Sequence, residues 1–115
     1  GYFESAIIQS YYSMYNLVLS LLFKCGIKCE NHSASAILLR DFFNQEELYF
    51  IFSKAKEERI DKQYYVTPSQ NNPATKESAN EMMKNALKFN PRIIAFKNNL
   101  KLQEINIIRN KIKRI

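Results

Sequence analysis

Two apolar rows run at helical spacing between Phe3 and Lys24: Ile7, Tyr11, Met14, Val18, Leu21 and Cys25 on one, Ile8, Tyr12, Tyr15, Leu19 and Leu22 on the other. Both advance by alternating steps of three and four, which marks an α-helix. Only a narrow stripe of Ser5, Gln9, Ser13, Asn16 and Ser20 separates them. The helix is therefore apolar round most of its circumference and is expected at the centre of a bundle, packed on both sides. Gly26 can take the positive φ that closes it, and Asn31 is placed to cap a short second helix over 33–43. Asn44, with Glu47 three residues on, predicts the cap of a third helix reaching about Lys62. Leu48, Phe52 and Ala55 form its buried row.

That row continues onto Arg59. Positions 48, 52, 55 and 59 fall within about 60° on a helical wheel, so this arginine faces the packed side. An inward charge without compensation costs several kcal/mol, and a carboxylate, backbone carbonyls or a solvent-filled groove is expected beside it. The stretch "YYVTPSQNNPAT" follows, with two prolines and no apolar period. Loops of this length in compact domains are usually functional or disordered. Thr75 then caps a helix carrying Ala79, Met82, Met83, Ala86 and Phe89. Asn90-Pro91 reads as a cap with proline at the first helical position, so a separate helix is expected from there to Lys97, broken at Asn98-Asn99. In the final stretch Leu102, Ile105, Ile108, Ile112 and Ile115 have helical spacing, while Leu100, Leu102, Ile105 and Ile107 partly alternate. A helix is favoured.

Composition narrows the fold class. The chain has 115 residues, 46% hydrophobic and 24% charged, which suits one globular domain. With 2 Gly and 3 Pro it lacks the turns that all-β folds need. The expectation is an all-α bundle of four to five helices over 1–97, with 98–115 a basic C-terminal helix or tail. The run from Leu17 to Phe23 is interrupted by Ser20 and falls short of the roughly 20 apolar residues of a bilayer span. No membrane segment is expected. The chain does not open with Met and shows no signal pattern, so a preceding segment is expected. Two cysteines make no disulfide framework, and a cytoplasmic, reducing location is expected. Cys25, Cys29 and His32 could supply three metal ligands, but the chain has no fourth Cys or His, and neither metal nor cofactor is expected.

The charge is uneven. Residues 97–115 hold Lys97, Lys101, Arg109, Lys111, Lys113 and Arg114 against Glu104 alone, a local excess of +5 in a chain total of +6. The first reading is a solvated face opposite a packing seam. The second makes Arg109, Lys111, Lys113 and Arg114 contacts to an RNA backbone.

The segment "YFESAIIQSYYSMYNLVLSLLFKCGIKCENHSASAILLRDFF" resembles the core of the HEPN family. Tyr11, Tyr12, Ser13, Met14, Tyr15, Gly26 and His32 match in order its paired tyrosine, small residue, Met and aromatic, glycine turn and histidine-opened helix. Arg59 followed five residues later by Tyr64 resembles the Arg-x-x-x-Asp-Tyr element of one HEPN subgroup, with Gln63 where aspartate is usual. The resemblance spans roughly residues 2–90 and lacks the family's first helix, which would precede Tyr2.

It implies a small all-α up-and-down bundle, often dimeric, often paired with a minimal nucleotidyltransferase as a toxin-antitoxin system. Many relatives are metal-independent endoribonucleases in which a histidine moves a proton and an arginine steadies charge on the phosphate. Here the histidine position is Tyr64, and a phenol of reference pKa about 10 is a poor base at neutral pH. The resemblance therefore implies first a nucleotide- or partner-binding groove lined by Arg59, Tyr64, Tyr65 and His32. It also makes Tyr64 or Tyr65 an acceptor for modification by the partner enzyme. The alternative is a ribonuclease using Arg59 with Tyr64, or with His32 as substitute.

Overall fold

A computed structural model of the chain describes residues 1–64 and 74–113, except for the side chains of 61–64. It contains five helices: α1 (Tyr2–Lys24), α2 (His32–Asp41), α3 (Glu46–Tyr64), α4 (Lys76–Asn99) and α5 (Leu102–Lys113). Among the described residues there is no strand, and the expected all-α bundle is what forms.

α1 closes as Gly26 predicts. The Ile27 N–H donates to the Leu22 carbonyl and the Gly26 N–H to the Phe23 carbonyl, both at 2.9 Å, with Gly26 at φ +72°. These paired bonds satisfy carbonyls that the helix end would otherwise leave open. Asn31 caps α2, its side chain accepting from the Ala34 N–H at 2.9 Å. Thr75 caps α4, accepting from the Ser78 N–H at 3.0 Å.

Two boundaries differ from expectation. Asn44 does not cap α3: it sits at φ 57°, and the helix starts at Glu46 with the Gln45 carbonyl accepting from Tyr49. The chain leaving α2 is held by Phe43 and Gln45 N–H groups on the Leu38 and Leu39 carbonyls. That turn needs a residue tolerant of left-handed backbone, which asparagine is. Glu47 turns outward instead, pairing with Arg92 at 2.9 Å and Lys88 at 3.7 Å. The second difference is Pro91, which lies inside a continuous α4. Phe89 and Ile93, one turn apart across it, are both 0% exposed. Burying each is worth about 1.5–3 kcal/mol, enough to offset the roughly 3 kcal/mol an internal proline costs.

α1 is the central helix, touching α2, α3 and α4. Phe52 stacks on Phe89 with ring centroids 6.0 Å apart while Glu47 meets Arg92, so α3 and α4 are antiparallel. Tyr12 meets Arg59 and Tyr15 meets Phe52, so α1 and α3 are antiparallel too. Lys56 bonds Ser33 while Arg40 lies over Tyr49, which sets α2 against α3 in the same way. Direction thus alternates from α2 to α4. The connector 25–31 runs back along α1, and α2 therefore begins beside Tyr11 and Tyr15 rather than beyond the end of α1. This return positions the candidate site.

The predicted buried rows are in place: Leu48, Phe52 and Ala55 on α3, and Ala79, Met82, Ala86 and Phe89 on α4, are all buried. Met83 is off the seam and exposed. α5 docks through Ile108, flanked by Ile105 and Ile112, whereas Leu102 at the start of its predicted row is exposed. By length and composition alone α1 could cross a membrane. In this fold its first row is covered by protein, with Ile7, Tyr11, Met14, Val18 and Leu21 at 0% exposure.

Candidate functional site

Arg59 is the residue round which the site is built. It stands where the α3 row placed it, 7% exposed, in a helix that is otherwise charged on its outer side. Its Nη1 donates to the Tyr12 hydroxyl at 3.2 Å. The guanidinium carbon lies 5.0 Å from the centre of the Tyr11 ring and 5.6 Å from that of Tyr12. A planar cation that is weakly hydrated can lie against aromatic faces in this way at low desolvation cost.

Tyr11, Tyr12 and Tyr15 come from one side of α1. Tyr11 and Tyr15 are one turn apart and stack at 6.2 Å, and both also stack on Phe52 of α3. His32, the first residue of α2, closes the cluster. Its ring stacks on Tyr15 at 3.9 Å, and its Nδ1 is hydrogen-bonded to the Tyr11 hydroxyl. Lys56, one turn before Arg59, donates to the Ser33 hydroxyl at 2.7 Å. Tyr12 and His32 are half-buried and form the solvent-side edge.

Electrostatics fix the protonation of this group. Burial pushes the Tyr11 phenol far above its ordinary value, with Arg59 opposing that shift. Tyr11 therefore remains a hydroxyl. Burial lowers the His32 imidazole, and the nearby Arg59 and Lys56 cations lower it further, so the neutral form prevails at neutral pH. The phenol O–H is a stronger acid than the N–H of a neutral imidazole, and on that ground we assign the Tyr11 hydroxyl as donor, Nδ1 as acceptor and the ring proton to Nε2. The half-buried edge of the cluster then carries the His32 Nε2–H donor next to the buried Arg59 cation.

Of the residues expected in the groove, Arg59 and His32 are brought together through Tyr11 and Tyr12. Tyr64 is the last residue of α3, but its side chain lies outside the described residues, as do Tyr65 and the rest of 65–73. Tyr11, Tyr12, Tyr15 and Lys56 were missed as site residues. The pair Tyr11-Tyr12 with Tyr15 one turn later looks from sequence like core packing, and nothing local shows that α2 returns to meet it.

The basic residues of α5 are a separate group. Arg109 and Lys113 lie about 40° apart on its wheel, and Lys111 about 160° from Arg109, so they do not make one face. Arg109 has its guanidinium against the Gly26 turn, where a Cβ on residue 26 would meet its carbon at 3.3 Å. A cation there favours the carbonyl end of α1. Arg114 lies outside the described residues. Cys25 is buried and its thiol pushed up by burial, and Cys29 is turned to the Ser35 hydroxyl and the Asn31 carbonyl. Among the described residues no group of three His, Cys, Asp or Glu could hold a metal ion.

Neither protein-family models, nor curated proteins, nor solved structures give a match to this chain.

Proposed function

We propose that this chain is a HEPN-like recognition module that binds a nucleotide phosphate at the edge formed by Arg59, Tyr12 and His32. The same proposal makes it one half of a toxin-antitoxin-type pair with a minimal nucleotidyltransferase, acting as a homodimer in the cytoplasm. The observation that carries the reading is the convergence of Arg59 and His32, 27 positions apart in the chain, on one tyrosine cluster. A guanidinium cation next to an imidazole N–H at a half-buried edge favours an anion there.

The runner-up, a metal-independent endoribonuclease, draws on the same convergence, because Arg59 and a neutral histidine are the groups such chemistry uses. The tautomer argues against it: with Nδ1 occupied by Tyr11 and Nε2 already protonated, His32 has no lone pair ready for a substrate proton. Binding is therefore the better reading.

The test is calorimetric titration of the chain with AMP, ATP and inorganic phosphate, beside the Arg59→Lys variant. Lysine keeps the charge but loses the planar fork. Saturable nucleotide binding that weakens about tenfold or more in Arg59→Lys supports the reading, by the strength of a charge-assisted bond. Absence of binding at millimolar nucleotide overturns it. Incubation with mixed RNA in chelator separates the runner-up: cleavage lost in both Arg59→Lys and His32→Gln would put the ribonuclease first.

A further inference from the structure

We infer that His32 is a proton-operated latch for α2: neutral, it ties the start of that helix to α1, and protonated, it releases the helix and takes apart the cluster round Arg59. The inference stands on packing alone and does not depend on the nucleotide reading.

The latch has one moving contact on each neighbour. Toward α1, Nδ1 is hydrogen-bonded to the buried Tyr11 hydroxyl, as acceptor in the Nε2–H tautomer, and the ring stacks on Tyr15. A proton on Nδ1 reverses that bond: the ring now donates to the phenol oxygen, and the Tyr11 O–H proton loses its acceptor in a fully buried position. Toward α3, the imidazolium becomes a third cation beside Lys56 and Arg59. Lys56 is bonded to Ser33, the next residue of α2, and Arg59 is 7% exposed, so neither is free to swing far away. Within α2 the first turn holds no acidic residue, and the amino end of a helix itself disfavours a positive charge.

Among the described residues, three further titratable groups come near the ring or its stack on Tyr15. Tyr12 approaches it edge-on at 6.1 Å, and its hydroxyl is engaged by Arg59. Burial raises the Tyr15 phenol, and Cys29 and Glu30 of the connector lie close enough to raise it further. Glu30 is exposed. Glu58 of α3 falls about 160° from Lys56 on the helical wheel, off the face that meets α2. What holds the rest of α2 is separate: Ser35, Ala36 and Leu39 are buried deeper in the bundle. The element that lets go is therefore the first turn with its connector, not the whole helix.

The chain suits a direct test, having one histidine and no tryptophan. Titrate it from pH 8 to pH 5, following the imidazole proton resonances by NMR and the tyrosine band by near-UV circular dichroism. The expected result is a His32 midpoint below 6.5, with the tyrosine band collapsing at the same midpoint while the far-UV helix signal is largely kept. His32→Gln, which retains an acceptor but cannot charge, should hold the tyrosine band flat over that range. Should that variant fail to fold, Lys56→Gln takes its place, and the His32 midpoint should rise. A midpoint at or above 6.5 overturns the latch. So does a tyrosine band that ignores the His32 titration, or a midpoint unmoved by Lys56→Gln.

Discussion

Arg59 shows how far one side chain can be read from a pattern. Its inward direction follows from Leu48, Phe52 and Ala55, whose spacing leaves no other face for it. What it meets on α1 does not follow: no aromatic partner was expected for a buried charge. There a tyrosine hydroxyl and two tyrosine rings lie against the guanidinium. Such a partner is invisible in the sequence because Tyr12 and Arg59 lie 47 positions apart. The contact has a measurable weight. Tyr12→Phe keeps the ring and deletes only the acceptor, and should cost about 1.5–3 kcal/mol in urea unfolding, the usual worth of a hydrogen bond to a charged group. A loss indistinguishable from zero would mean that the guanidinium is held by other contacts.

Helices declared themselves through apolar spacing and caps, and Asn31 and Thr75 cap where the sequence put them. Boundaries set by competition did not. Asn44 looks like a cap, yet the exit from α2 claims it for a left-handed turn, and Pro91 looks like a start, yet burial on both sides carries α4 through it. Replacing Pro91 with Ala returns a donor to the Leu87 carbonyl, and should stabilise the fold by up to about 3 kcal/mol. Thermal unfolding would show it as a raised Tm, and an unchanged or lowered Tm would mean that the proline is already accommodated. Gly26 is the opposite case. At φ +72°, with the Arg109 guanidinium where a Cβ would go, Gly26→Ala should cost about 1–2 kcal/mol from backbone strain alone, and loosen α5 as well. The same Tm measurement tests it, and no loss would show that the turn relaxes freely.

For the whole molecule, the all-α class was legible because turn residues are scarce and helical periods dominate. The meeting of α2 with the middle of α1 was not, because it depends on the path of a seven-residue connector with no period to read. The folded protein has two separate acid sensitivities, one of which that path creates. The folded His32 protonates less readily than an unfolded one, so stability is full above about pH 6.5 and falls as pH drops below it. Asp41, held low by Arg40, and Glu47, held low by Arg92, favour the folded state above the ordinary carboxylate range, and that contribution is lost as pH falls through their lowered values. Unfolding free energy against pH should therefore fall in two steps. His32→Gln should remove the upper one and leave the lower.

The central claim is that Arg59, Tyr12 and His32 form the edge that takes a nucleotide phosphate. Because His32 is the one histidine in the chain, its imidazole resonances report on that edge directly. AMP should shift them saturably at pH 7.5, and the shift should be lost in Arg59→Lys with the fold intact. His32 resonances that stay in place while AMP is raised to several millimolar would contradict the account.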